Sequence, residues 1–154
     1  MKVSSIGIVV GVTGLIMLGL SGGALAVELH DPSTDSRQRL VLGPAQRQMV
    51  LAEMRLMLES VSGILQGLAR SDRPAAEKSA RTSGMTGSAD MDPHIQTRLP
   101  RQFLELAIHT HRGFDALADQ IKAGHSQADI LRELARLTGN CVACHTMYRL
   151  DEGH

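Results

Sequence analysis

Residues 127–149 read QADILRELARLTGNCVACHTMYR, and this stretch decides the fold. Its apolar side chains recur at helical spacing, and two cysteines continue the same face. Ser126 precedes the stretch and Asp129 follows three residues later, which is the pattern of a helix N-cap. The sequence therefore predicts an amphipathic last helix that carries a cysteine motif near the chain end. The predicted stripe consists of Ile130, Leu134, Leu137, Cys141 and Cys144.

The motif Cys141-Val142-Ala143-Cys144-His145 is typical of covalent c-type haem attachment. Two thiols three residues apart lie on one helix face, so both reach one porphyrin, and the adjacent imidazole is placed to ligate the iron. The alternatives are half of a zinc site, a thioredoxin-like pair or a structural disulfide. Each lacks a partner that it needs, because the chain has two cysteines and no strand–helix alternation around them. We therefore predict one covalent haem c per chain, with His145 as the iron ligand.

The first 26 residues have the organisation of a secretory signal peptide. Lys2 supplies a positive start, Ile6 to Leu20 is an apolar stretch, and Ala24 and Ala26 have the small-x-small spacing of a cleavage site. A retained membrane anchor is the alternative, but the apolar stretch is shorter than the ~20 residues that span a bilayer. We predict cleavage after Ala26, export to the periplasm and no stable membrane insertion afterwards.

Composition limits the remaining choices. The chain has 16 basic and 16 acidic residues, which gives no reason to expect a nucleic-acid partner. Aromatic residues are scarce, and the apolar residues have few β-branched runs, so helices are favoured over a sheet. Cleavage of the signal leaves about 130 residues, which is the size of one domain.

Four helical segments follow a polar leader at residues 27–43. The first is predicted from Pro44 to Ala69 and the second from Ala75 to Thr82, with the breakers of residues 71–74 between them. A loop at residues 83–92 precedes a third helix that opens near Pro100, and the motif-bearing helix is the fourth. The inner stripe predicted for the first helix consists of Leu51, Met54, Leu58, Val61, Leu65 and Leu68. Short connections favour an all-α, antiparallel four-helix bundle over residues 44–150.

The C-terminal pattern Cys141-x-x-Cys144-His145-x-x-Tyr148-Arg149 resembles that of the class II c-type cytochromes, the cytochrome c prime family. The long helix containing Arg47 and Gln48 is similar to the first helix of that family. The resemblance implies a left-handed bundle with haem bound covalently on the C-terminal helix, His145 as proximal ligand, and a homodimer in many members.

The resemblance does not decide which residue lies on the distal side of the iron. In low-spin members a methionine of the first helix ligates the iron, whereas in the cytochrome c prime type an apolar residue covers an open iron. Aligning by Arg47 places Leu51 at the distal position, and aligning by the helix end near Ser71 places Met54 there. Met49 and Met57 lie off the predicted inner stripe, so we expect packing or interface roles for them.

Other polar residues receive weaker predictions. His109 and His111 are two residues apart on the third helix, and we expect a solvent-facing pair. Arg149 lies one turn beyond His145. It is placed to bind a haem propionate or cover the imidazole edge, although the helix dipole alone also favours an arginine there.

Two functions follow from these residues. One is one-electron transfer with His145 proximal and Met54 distal, towards a redox partner protein that the sequence does not identify. The alternative is a five-coordinate haem that binds nitric oxide or carbon monoxide, with Leu51 over the open site. No nucleophile–base pair surrounds the motif, so we do not expect an enzyme. We prefer electron transfer because a methionine lies on the predicted inward face.

Overall fold

The computed structural model describes residues 35–86, 95 and 97–152. The predicted signal peptide with its cleavage site after Ala26, most of the predicted leader, and most of the predicted loop at residues 83–92 lie outside the described residues.

Four helices and two short strands make up the described chain. In order they are β1 (Gln38–Leu42), α1 (Pro44–Ala69), α2 (Arg73–Thr82), α3 (Arg101–Lys122), α4 (Gln127–Met147) and β2 (Tyr148–Glu152). The helices pack in sequence, α1 on α2, α2 on α3 and α3 on α4. The prediction of a mostly helical chain with four successive packed helices is confirmed. No helix in these described ranges is long and apolar enough to cross a membrane.

Local signals in the sequence set the helix ends. Pro44 occupies the first turn of α1, where its missing N–H has no helical partner to lose. Between α1 and α2, Ser71 adopts a left-handed conformation (φ 56°), and the Asp72 carboxylate caps α2 by accepting from the Ala75 N–H at 3.0 Å. Ser126 caps α4 in the same way through the N–H of Asp129 at 3.1 Å, as predicted.

All four helices contribute to one apolar core. Its buried members include Ile64 and Leu68 of α1, Ala76 and Ala80 of α2, Phe114, Leu117, Ala118 and Ile121 of α3, and Ile130, Leu134 and Leu137 of α4. We call this set the first core cluster. Three of the residues predicted as the stripe of the last helix therefore lie in it.

The predicted inner stripe of α1 is partly wrong. Leu58 is 69% exposed and Leu65 is exposed as well, whereas Met57, predicted to lie off the stripe, packs against the first core cluster. The buried residues of α1 are instead Val50, Ser60, Ile64, Gly67 and Leu68. Ser60 is buried and its hydroxyl shares a 2.8 Å hydrogen bond with the hydroxyl of Ser83, so α1 turns a polar group towards the segment after α2.

The prediction of a solvent-facing histidine pair is also wrong for one of the two residues. His109 is exposed, but His111 is 3% exposed. Its Nδ1 donates to the carbonyl of Ser83 at 2.8 Å, and its Nε2 lies 3.8 Å from a carboxylate oxygen of Glu53. A buried histidine needs such partners, and the position of Ser83 beside α3 provides one.

The strands are the main departure from the predicted all-α architecture. β1 and β2 pair in parallel, with Gln38 opposite Tyr148 and Leu42 opposite Glu152. Leu40 and Leu42 are 3% and 1% exposed, so the last part of the predicted polar leader, residues 38–42, contains two core side chains. The helical bundle expected to run to residue 150 gives way to β2 after Met147.

The strand pair builds a second apolar cluster at the end of the bundle where α1 begins and α4 ends. Its buried members are Leu40, Leu42, Val50, Ile95, Leu99, Phe103 and Tyr148, and we call it the second core cluster. Met54, Leu104, Cys144, Met147 and Leu150 pack against it while partly buried. The cysteine motif therefore meets the first half of α1 at this cluster.

Candidate functional site

A cavity of about 280 Å³ lies at the second core cluster. It is lined by Arg37, Leu40, Leu51, Met54, Phe103, Cys144, His145, Tyr148, Arg149 and Leu150. Half of these ten side chains are apolar, and the other half are two arginines, a tyrosine, a histidine and a thiol, although apolar atoms make up most of the wall surface. A cavity with mostly apolar walls and a few polar groups is the usual form of a small-molecule or cofactor site.

The last turns of α4 supply the motif side of the cavity. Cys144 and His145 both line it, although His145 is largely exposed to solvent on its other side. Cys141 lies one turn earlier on the same helix and is half-buried. Val142, between the two cysteines, is 68% exposed. The helix therefore places Cys144 and His145 at the cavity and turns Val142 towards solvent.

Both thiols are free. Burial raises the pKa of Cys141, and burial followed by the charge of Cys141 raises the pKa of Cys144. Partial desolvation disfavours a thiolate, so both groups are held as neutral thiols near neutral pH. The pair is therefore better suited to a reaction of the neutral thiol than to nucleophilic attack by a thiolate that is already present.

The wall formed by α1 holds both distal candidates. Leu51 and Met54 each line the cavity that Cys144 and His145 line. Met49 is exposed, and Met57 packs against the first core cluster. The structure thus brings both Leu51 and Met54 to the cavity that His145 lines. Among these three methionines of α1, Met54 is the one at the cavity.

An aromatic pair closes another part of the cavity. The rings of Phe103 and Tyr148 meet edge to face, with centroids 5.4 Å apart and planes at 84°. Both side chains are buried, and both line the cavity. Tyr148 belongs to the C-terminal pattern named from the sequence, whereas no motif marks Phe103.

Two arginines stand at the cavity. Arg149 lines it, with a guanidinium nitrogen 3.9 Å from a carboxylate oxygen of Asp151. Arg37 also lines it and donates a hydrogen bond to the backbone carbonyl of His145 at 3.2 Å. Sequence reasoning missed Arg37 and Leu40, because both belong to the predicted leader and no motif marks them.

The described residues contain no cluster of side chains that would hold a metal ion by themselves. Within residues 35–86, 95 and 97–152, no group of three or more His, Cys, Asp or Glu side chains is arranged to hold a metal ion.

No family model matches the chain, and the searches of curated proteins and of solved structures found no match either. The resemblance to class II c-type cytochromes therefore stays a prediction carried by the residues of the motif.

Proposed function

We propose that this chain is an exported c-type cytochrome that transfers single electrons in the periplasm. The observation that carries the proposal is the position of Cys144 and His145 on an apolar cavity, with Met54 on the wall formed by α1. The finer architecture that we propose is the antiparallel four-helix bundle of the class II cytochromes, with one haem c held on α4.

The donor set of α4 fits a covalently attached haem. Cys141 and Cys144 are neutral thiols three residues apart on one helix, which is the form and spacing that two thioether bonds require. His145 supplies an imidazole at the cavity directly after the second thiol. When bound, haem would supply an iron that changes between two oxidation states. The protein residues would hold it, orient it and set its surroundings.

The role proposed for Met54 is that of distal ligand. A thioether is a weak, polarisable ligand, and methionine–histidine ligation favours the reduced iron. Leu40, Leu51 and Phe103 keep this side of the cavity apolar, which limits water near the site. Together these features support electron transfer.

Arg149 is proposed to face a carboxylate substituent of the cofactor. It lines the cavity and is only partly exposed, and a guanidinium pairs with a carboxylate through parallel N–H donors.

Gas binding is the second candidate because Leu51 lines the same cavity three residues before Met54. If Leu51 covers the iron and Met54 only fills space, the iron keeps an open position. Nitric oxide or carbon monoxide would then bind there. The two functions differ in one measurable property, which is whether Met54 is a ligand.

Haem attachment is tested on the chain produced in a host with c-type maturation. We expect the wild type to carry one haem that survives denaturation, measured as the pyridine haemochrome per chain. Cys144→Ser is expected to leave at most one thioether, with a shifted haemochrome band, and Cys141→Ser,Cys144→Ser to carry none. His145→Ala removes the proposed iron ligand. His109→Ala, at an exposed histidine of α3, is its control. Wild-type protein without covalent haem would refute the proposal.

The distal ligand is tested by absorption spectra of the ferric, reduced and carbon monoxide-treated protein. Met54→Leu is expected to turn a low-spin spectrum into a high-spin one that responds to carbon monoxide. Met57→Leu removes a methionine of the same helix that packs in the first core cluster, so its spectrum should stay that of the wild type. A wild-type protein that is already high-spin and responds to carbon monoxide would replace electron transfer by gas binding over Leu51.

The remaining parts of the proposal concern the whole chain. We propose cleavage after Ala26 without later membrane insertion, a redox protein as partner and a homodimer as the form in solution, with no enzymatic activity. N-terminal sequencing of the periplasmic protein and sedimentation of the purified chain test the first and third of these. A chain that retains Met1 in the membrane fraction would contradict export with cleavage.

A further inference from the structure

Arg37 occupies a position that the electron-transfer proposal does not use. It lies directly before β1, and the parallel register, which sets Gln38 opposite Tyr148, brings it beside the last turn of α4. There its guanidinium donates to the backbone carbonyl of His145 at 3.2 Å. The same side chain lines the cavity with His145.

The hydrogen bond has a clear physical reason. The last four carbonyls of an α-helix lack helical N–H partners and form the negative end of the helix dipole. His145 lies within the last turn of α4, so its carbonyl is a favourable acceptor for a cation. A guanidinium carries five N–H donors in a planar fork, so one arginine can hold a carbonyl and still face a second acceptor.

We propose that Arg37 is a positioning residue for the His145 side of the cavity. It fixes the backbone of the proximal histidine and places a positive charge beside the cofactor. This inference rests on the proposed function, since the charge acts on whatever occupies the cavity.

The charge predicts a direction. A positive charge near the iron disfavours the ferric state, which carries one more positive charge than the ferrous state, and so it raises the midpoint potential. Arg37→Gln removes the charge while keeping a side chain that can donate to the His145 carbonyl. We expect the equilibrium constant for reduction to fall roughly threefold to tenfold, which corresponds to about 30 to 60 mV for a one-electron couple.

Arg39 provides the matched control. It lies two residues later and is exposed, and it pairs with Asp151 without lining the cavity. Arg39→Gln removes the same charge two residues further along the chain, at a residue that does not line the cavity, so we expect a much smaller shift in potential. Arg37→Lys keeps the charge and should keep most of the wild-type potential.

The experiment measures the midpoint potential of each holoprotein by spectroelectrochemical titration at low and high salt, together with haem content and thermal midpoint. We expect full haem content in all variants and a lowered potential in Arg37→Gln that shrinks at high salt, because salt screens an exposed charge. Equal shifts in Arg37→Gln and Arg39→Gln, or a lowered thermal midpoint with an unchanged potential, would overturn the assignment of Arg37. Wild-type protein without covalent haem would instead overturn the proposed function, and this inference with it.

Discussion

The contact between α1 and α2 at Gly67 yields a sharp prediction about stability. A Cβ atom added at Gly67 would lie 2.7 Å from the backbone nitrogen of Ala76 and 2.9 Å from its Cα and Cβ atoms. Backbone atoms cannot rotate away from such a contact, so the two helices would have to move apart. Gly67→Ala is therefore expected to destabilise the protein, even though alanine is the better helix former.

The magnitude follows from two opposing effects. Overpacking a well-packed interior costs about 1–3 kcal/mol, and contact with backbone atoms favours the upper end of that range. Replacing glycine by alanine within a helix contributes about 1 kcal/mol in the opposite direction. We expect a net loss of about 2 kcal/mol in the free energy of unfolding, and a fall in Tm of roughly 5–10 °C for a protein of this size.

Gly139 allows the same substitution without the contact. It lies inside α4, and no atom stands within 4 Å of an added Cβ. Gly139→Ala should therefore gain about 0.5–1 kcal/mol. Urea and thermal unfolding followed by circular dichroism at 222 nm measure both variants in the same form of the protein. A Gly67→Ala protein as stable as the wild type, or two variants that change in the same direction, would refute the close approach of α1 and α2.

Three further predictions concern the core, the cap of α4 and the thiols. Phe114→Ala removes a ring that is 1% exposed in the first core cluster and should cost about 3–5 kcal/mol in the free energy of unfolding by urea; a loss below 1 kcal/mol would contradict its burial. The hydrogen bond from Ser126, followed by the guanidinium of Arg132, lowers the pKa of Asp129, so this carboxylate contributes stability above its unfolded-state pKa that is lost as pH falls through its folded pKa. The wild type should therefore have a higher Tm than Asp129→Asn at neutral pH, and the difference in Tm should vanish in acid. A difference in Tm that does not depend on pH would contradict this role of Asp129. Because burial raises the pKa of Cys141 and Cys144, alkylation of the haem-free chain by iodoacetamide should reach half its maximum rate at a higher pH when folded than in urea, and equal midpoints would show that the thiols are not desolvated.

Helix ends were the most predictable part of the structure. The bounds of α1 follow from Pro44 at its start and from the breakers after Ala69, and the start of α4 follows from Ser126. These signals are local, since each depends on a few neighbouring residues and their backbone hydrogen bonds. The spacing within the motif is local as well, which is why Cys144 and His145 could be placed on one helix before its neighbours were known.

The faces of α1 could not be predicted, because its partners decide them. A stripe with heptad spacing drifts by about 20° per heptad relative to a straight helix, and α1 has 26 residues. The inner face is also set by Gly67, which lets α2 approach, and by Ser60, which bonds to Ser83. A hydrophobic pattern marks neither of these residues, so Leu58 was predicted to be buried although it is exposed.

The site was predicted in part for the same reason. Cys144, His145, Met54, Leu51 and Arg149 were all named from the sequence, and the structure places them on one cavity. Residues 37–42 were not named from the sequence, because their role depends on pairing with a strand at the other end of the chain. Two strands of five residues with little alternation carry no sequence signal for a parallel pairing of this kind.

The parallel strand pair has a consequence for the order in which the protein can form. Arg37 and His145 are 108 residues apart in the chain, so their contact closes almost the whole of the described sequence into one loop. Contacts of this span carry a high closure entropy and are expected to form after the local helical contacts. During synthesis β1 is made first and must wait for β2, which is made last. Until the two strands pair, the side of the cavity that Leu40 forms near Cys144 is missing.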